Sequence, residues 1–223
     1  MSLDVLIGGG RDEAQVRALL APFAEVTRAG AGEALCVVVD DGEGVDLDRW
    51  RGVLADAGEV RCVVLSAGRP LTADDVAGAA GVFVAGGLTP LYAELVVPAR
   101  AALAPLPYAG FSAGAAIAAE RALVGGWRVA GRPVCPDDAA EDLDEVTVVP
   151  GLGRVDFATD VHAAQWGTTS RALHAVTAGL VDAACAVDEH TAVVVRDGSV
   201  AVTGAGFARW IDAGGAVRVE PGG

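Results

Sequence analysis

The sequence predicts an α/β fold built on a mostly parallel sheet, and three observations carry that expectation. Short, continuous apolar runs alternate with helical apolar spacings through the first half of the chain, the pattern of parallel strands covered on both faces. The stretch Gly110-Phe111-Ser112-Ala113-Gly114 stands where one such run gives way to a helix-forming run. Toward the C-terminus two strand-like runs flank Asp197-Gly198, a pair that supplies the tight turn of an antiparallel hairpin.

Taken in order, residues 3–7 form a short strand ending in Gly8-Gly9-Gly10, and residues 13–24 carry helical spacing at Val16, Leu19, Leu20 and Phe23. Residues 35–39 are a buried-type strand, followed by a helix around 47–57, and residues 60–65 are the third strand. Thr72 caps a helix expected to run through Ala80, with Asp74 and Asp75 in the first turn, where the helix dipole favours negative charge. Residues 81–84 make the fourth strand, 90 to about 103 a helix, and the run before Ser112 the fifth strand. Residues 119–145 read as an acidic, loop-like segment. Strands at 146–149 and 155–161, a helix over 168–178, a strand at 183–187 and the hairpin at 192–202 complete the chain. Neither a repeat nor a linker interrupts residues 1–223, so a single domain is expected.

Composition narrows the function. Of 223 residues 52% are hydrophobic and the mean hydropathy is +0.43, which suits a packed core and not a disordered chain. No apolar run reaches membrane-spanning length and no leader pattern opens the chain, so a cytoplasmic protein without a membrane partner is expected. A net charge of −14 repels phosphate and disfavours nucleic acid. The 16 basic residues are all arginine, which excludes a lysine base or Schiff base. Cys36, Cys62, Cys135 and Cys185 stand apart without zinc spacing, so neither metal nor cofactor is expected. Gly8-Gly9-Gly10 fails the dinucleotide pattern because Glu13 occupies the third glycine position; it reads instead as a glycine-rich strand end beside the site.

The chemistry centres on Ser112. In a nucleophile elbow the sharp turn between strand and helix lifts the serine hydroxyl out of the sheet, and the flanking glycines let backbone and helix pass. The N–H of Ala113 then points to where an oxyanion would form, beside a helix N-terminus. The general base must come from three histidines. His162 closes a strand-like run, His190 lies in a polar turn, and His174 sits inside a helix; position favours His162 and leaves the others open. For the carboxylate that orients the base, Asp188 and Glu189 follow a strand end. Asp156 and Asp160 lie too near His162 in sequence to fold back easily, while Asp137 and Asp138 suit a solvated loop.

A longer set of motifs resembles the S51 family of serine peptidases, which includes aspartyl dipeptidase and cyanophycinase. It runs from Val82-Phe83-Val84-Ala85-Gly86-Gly87 through the elbow at 110–115, Val149-Pro150-Gly151-Leu152, and His162 with Gln165, Gly167 and Arg171, to Val187-Asp188-Glu189-His190-Thr191-Ala192. The resemblance covers nearly the whole chain and implies a flavodoxin-like three-layer αβα sandwich related to class I glutamine amidotransferases. Position by position it implies a Ser112, His162, Glu189 triad, whose chain order differs from that of α/β-hydrolases. It also implies a second oxyanion donor at Gly87 or Leu88, and substrate contacts at Thr89, Gln165 and Arg171, the arginine fork taking an acidic group. Leu88 stands where the family usually carries a polar residue after the Gly-Gly pair, and Trp166 and Thr168 where cyanophycinases carry extra arginines. The expected activity is hydrolysis of dipeptides with an N-terminal acidic residue through an acyl-enzyme. The expected partner is a small peptide, with a homodimer left open. The competing readings are a non-catalytic small-ligand binding or interaction protein on the same fold, and a hydrolase of another amide or ester bond, a cyanophycinase-like isopeptide bond included.

Overall fold

The computed structural model describes residues 2–42 and 44–223. The first half of the chain lays down β1 (Leu3–Ile7), α1 (Glu13–Leu19), α2 (Ala21–Ala29), β2 (Glu33–Val39), α3 (Leu47–Val53), β3 (Val60–Leu65), α4 (Ala73–Val76), β4 (Ala79–Val84), α5 (Thr89–Val96), α6 (Arg100–Leu103), β5 (Tyr108–Phe111) and α7 (Ala113–Ala116). The second half adds β6 (Arg121–Gly125), β7 (Arg128–Val129), β8 (Arg132–Pro133), β9 (Thr147–Pro150), β10 (Ala158–Asp160), α8 (Thr169–Thr177), β11 (Ala184–Val187), β12 (Thr191–Arg196), β13 (Ser199–Gly204), β14 (Phe207–Ile211) and β15 (Val217–Pro221).

The central sheet has seven strands in the order β13-β12-β1-β5-β4-β2-β3. Strands β1 to β5 pair in parallel, and β12 joins β1 antiparallel. Side chains alternate between its faces with the period of two that strands impose. Val5, Cys36, Phe83 and Phe111 meet Val16, Phe23 and Trp50 of α1 to α3. Leu6, Val37 and Tyr108 meet Tyr92 and Leu95 of α5, Leu103 of α6, and the inner face of a second sheet at Cys185, Val187 and Ala208. This is a three-layer α/β sandwich. The second sheet, β10-β11-β14-β15, carries α8 on its outer face through Ala172, Ala175 and Val176. Among the described residues no helix is long and apolar enough to cross a membrane.

Several elements depart from expectation for local reasons. The helix expected over 13–24 is split, because Pro22 lacks an N–H and its ring is tolerated only in a first turn, so α2 starts afresh at Ala21. The helix is capped by Thr72 as expected, and Asp75 completes a capping box, but it lasts four residues, since Gly78 at φ 78° turns the chain into β4. Pro98 lies in a 3-10 turn at Val97–Ala99 that separates α5 from α6. The helix after the elbow is also shorter than expected, and the acidic segment is not merely a loop: β6 pairs with β9, and β7 with β8. Asp197 and Gly198 do make the tight turn, at φ 47° and 81°, and the hairpin forms one edge of the central sheet. Strands β14 and β15, and with them the second sheet, were not foreseen.

Candidate active site

Ser112 sits between β5 and α7 at φ 51°, ψ −110°, a conformation that a non-glycine residue holds only when its surroundings impose it. Its N–H donates to the Ile7 carbonyl at 2.9 Å, its carbonyl accepts from Ala116, and the Gly114 N–H is fixed on Ala85. A Cβ at Gly110 would lie 2.4 Å from the Gly114 carbonyl, and one at Gly114 would lie 2.2 Å from that of Val84. The two glycines are therefore what lets α7 start this close to the sheet.

His162 and Glu189 come from the neighbouring parallel strands β10 and β11, just past the end of each, in the second sheet and not the sheet that carries Ser112. The tip of β1 joins the two sheets. Gly8 O accepts from the His162 N–H at 2.8 Å, Gly9 O accepts from His190 N–H at 2.9 Å, and Gly8 N–H donates to Thr191 O at 3.0 Å. A Cβ at Gly9, which adopts φ 111°, would fall 2.1 Å from Cε1 of the His162 ring. The glycine run is thus a strand end pressed against the imidazole.

The Ser112 Oγ lies 2.8 Å from Nε2 of His162, and Nδ1 of His162 lies 2.8 Å from Oε1 of Glu189. With the Nδ1 proton donated to the carboxylate, Nε2 is left to accept the serine proton. Ser112 and His162 are buried and Glu189 half-buried. Trp166 stacks on the His162 ring with centroids 3.8 Å apart and planes 10° from parallel. Burial is the largest influence on His162 and pushes its pKa below the ordinary 6.5, against the upward pull of the Glu189 carboxylate. A base with a depressed pKa stays neutral further into acid. The acid limb of kcat/KM is therefore expected to have its midpoint below pH 6.5, and a midpoint at or above that value in the measured profile would contradict this account of the imidazole.

The site opens into a cavity of about 770 Å³. Gly87 and Leu88 line it, and the N–H groups of Gly87, Leu88 and Ala113 donate to no protein acceptor among the described residues. Gly87 and Leu88 share the cavity lining with Ser112, and Ala113 follows it in the chain, so all three donors are candidates for holding an oxyanion.

Three positions expected to touch substrate do other work. Arg171 is 3% exposed. Its Nε and Nη2 hold the Asp160 carboxylate at 2.9 and 2.6 Å, and Nη1 donates to the carbonyls of Gly126 and Ala139. With four of its five N–H donors taken by protein acceptors and the side chain buried, the arginine is committed to the protein and not to a ligand. Thr89 is buried and gives its N–H to Glu141 Oε2 at 2.8 Å. The Gln165 side-chain carbonyl accepts the Glu189 N–H at 3.0 Å, so it holds the backbone that carries the Glu189 carboxylate. The rival acids are also spoken for: Asp160 belongs to Arg171, and Asp188 is paired with Arg209 and accepts from the N–H groups of Ala164 and Phe207. His190 Nε2 accepts from the Asp12 N–H, away from Ser112.

Among the cavity residues that escaped the sequence reading are Arg49 and Glu141. Arg49 lies in a short helix with nothing local to mark it, and Glu141 is one acid in a segment crowded with them. Only the fold distinguishes them.

No family model matches the chain, and no curated protein matches it either. Among solved structures it is similar to a peptidase from an acI-B1 Actinobacterium, with a TM-score of 0.70 and 16% identity over 100% of this chain and 95% of that one. At that identity the likeness is one of fold.

Proposed function

We propose that this protein is a serine peptidase of the S51 type that hydrolyses short peptides, dipeptides with an N-terminal acidic residue foremost among them. The observation that carries the reading is the unbroken relay from Ser112 through His162 to Glu189, with both links at 2.8 Å and free N–H donors beside it. The peptidase of similar fold supports it.

In this reading His162 Nε2 takes the proton as the Ser112 Oγ attacks the scissile carbonyl, and the Glu189 carboxylate stabilises the imidazolium without taking its proton. The N–H groups of Ala113 and of Gly87 or Leu88 hold the oxyanion. His162 then protonates the leaving amine, and a water activated by the same nitrogen hydrolyses the acyl-enzyme. Neither a metal nor a cofactor enters this sequence.

A fluorophosphonate reagent tests the reading directly. The intact protein is expected to be labelled at Ser112 and the label to block release of free amino acids from a panel of dipeptides with varied first residue. Failure to take up the reagent at Ser112, with no dipeptide cleaved, would remove the peptidase reading and favour a ligand-binding protein on the same fold.

A further inference from the structure

Among the charged side chains that line the cavity above Ser112, two of opposite sign are half-buried without an ion-pair partner among the described residues, and they form its poles. Glu141 forms one. Its backbone and that of Asp142 are held at φ 55° and 60°, an arrangement non-glycine residues rarely adopt. Its carboxylate is tied to the Thr89 N–H, and burial pushes its pKa up. Among the described residues no cation lies within ion-pair distance of it. Arg171 acts on it only from beyond ion-pair distance, so a half-buried carboxylate in a strained backbone gains from a cation that a ligand brings into the cavity.

Arg49 forms the other pole. It is half-buried, with its guanidinium 4.7 Å from the Trp50 ring centroid and 5.7 Å from that of Phe111, the residue before the nucleophile. Of its donors one N–H reaches the Gly10 carbonyl at 3.2 Å. In a chain with 30 acidic residues against 16 basic ones, this arginine has no carboxylate partner among the described residues. The aromatic rings flank the guanidinium, and its remaining donors have no protein acceptor among the described residues in the cavity that it lines.

Position fixes what each pole can take. Glu141 is bonded to the N–H next in sequence after the oxyanion donors Gly87 and Leu88. A cation there would lie close to the scissile carbonyl, as the α-ammonium of an N-terminal residue does and the amide of an internal residue does not. We propose that Glu141 holds the α-ammonium group of the substrate and Arg49 a carboxylate of the same molecule, so that the cleft selects short zwitterionic peptides. This rests on the Ser112 peptidase reading. The carboxylate is either the C-terminal one or an acidic side chain.

Binding separates the anchors from catalysis. In a Ser112→Ala background, calorimetry with Asp-Ala reads affinity without turnover. Adding Glu141→Gln or Arg49→Met is expected to weaken Asp-Ala about 10- to 100-fold, the range for loss of a charge-assisted hydrogen bond. N-acetyl-Asp-Ala should bind the Glu141→Gln protein no worse than its parent. For Arg49→Met, loss of the preference for Asp-Ala over Asn-Ala identifies the side-chain carboxylate, and loss of the preference over Asp-Ala-amide identifies the C-terminal one. Unchanged thermal melting of both variants excludes misfolding as the cause. Should both bind Asp-Ala as tightly as the parent, or should the parent not bind it, the anchors are refuted. Phosphonate labelling of the wild type reports separately on the peptidase reading.

Discussion

Ser112→Ala is expected to lower turnover by ~10⁴-fold or more while leaving the fold and substrate binding in place. The variant removes one hydroxyl from a residue whose N–H and carbonyl keep their bonds to Ile7 and Ala116, and alanine meets the same positive φ with the same Cβ. Stability should therefore change by less than about 1 kcal/mol. In the proposed mechanism Ser112 and His162 act as one unit, so adding His162→Ala should cost little more, the residual rate coming from the proposed oxyanion donors and from binding. Steady-state kinetics on the best dipeptide, with thermal melting as the control, decides the matter. A variant that keeps a tenth of wild-type turnover would mean that the hydroxyl is not the nucleophile.

How much of this site was legible in the sequence depends on how local each part is. Gly110, Ser112 and Gly114 were readable because the turn imposes its own chemistry within five residues. His162 could be ranked first because a strand end is where an α/β site collects its side chains. Glu189 was open to rivalry from Asp188 on sequence position, and only the resemblance preferred it. The structure gives the reason: Asp188 turns toward Arg209 and Phe207, while its neighbour turns to the imidazole. The layered fold followed from the apolar runs, yet the second sheet did not. Its first strand has three residues, and β14 and β15 expose Phe207, Val217 and Val219, so no buried alternation marks them. Arg49 and Glu141 were illegible for a different reason. What sets them apart is the lack of an opposite charge within ion-pair distance among the described residues, and no sequence spacing records that.

Arg171 shows how a motif position can be read correctly as important and wrongly as to its work. Arg171→Ala is expected to destabilise the protein by about 3–5 kcal/mol, because it leaves the Asp160 carboxylate buried without its partner and strips donors from the carbonyls of Gly126 and Ala139. Those carbonyls belong to the segment that leads into Glu141, and Asp160 stands two residues before His162, so the arginine joins the acidic wall of the cleft to the strand that delivers the base. Its loss should weaken activity toward every dipeptide alike, in proportion to the folded fraction. Urea denaturation gives the stability, and the ratio of kcat/KM for Asp-first over Ala-first dipeptides gives the specificity. Replacing both partners, Asp160→Leu with Arg171→Met, should recover much of the stability, since the cost lies in the stranded charge and not in the lost attraction. An Arg171→Ala protein of wild-type stability whose KM rises for acidic-first substrates alone would return the residue to the substrate pocket and reverse this assignment.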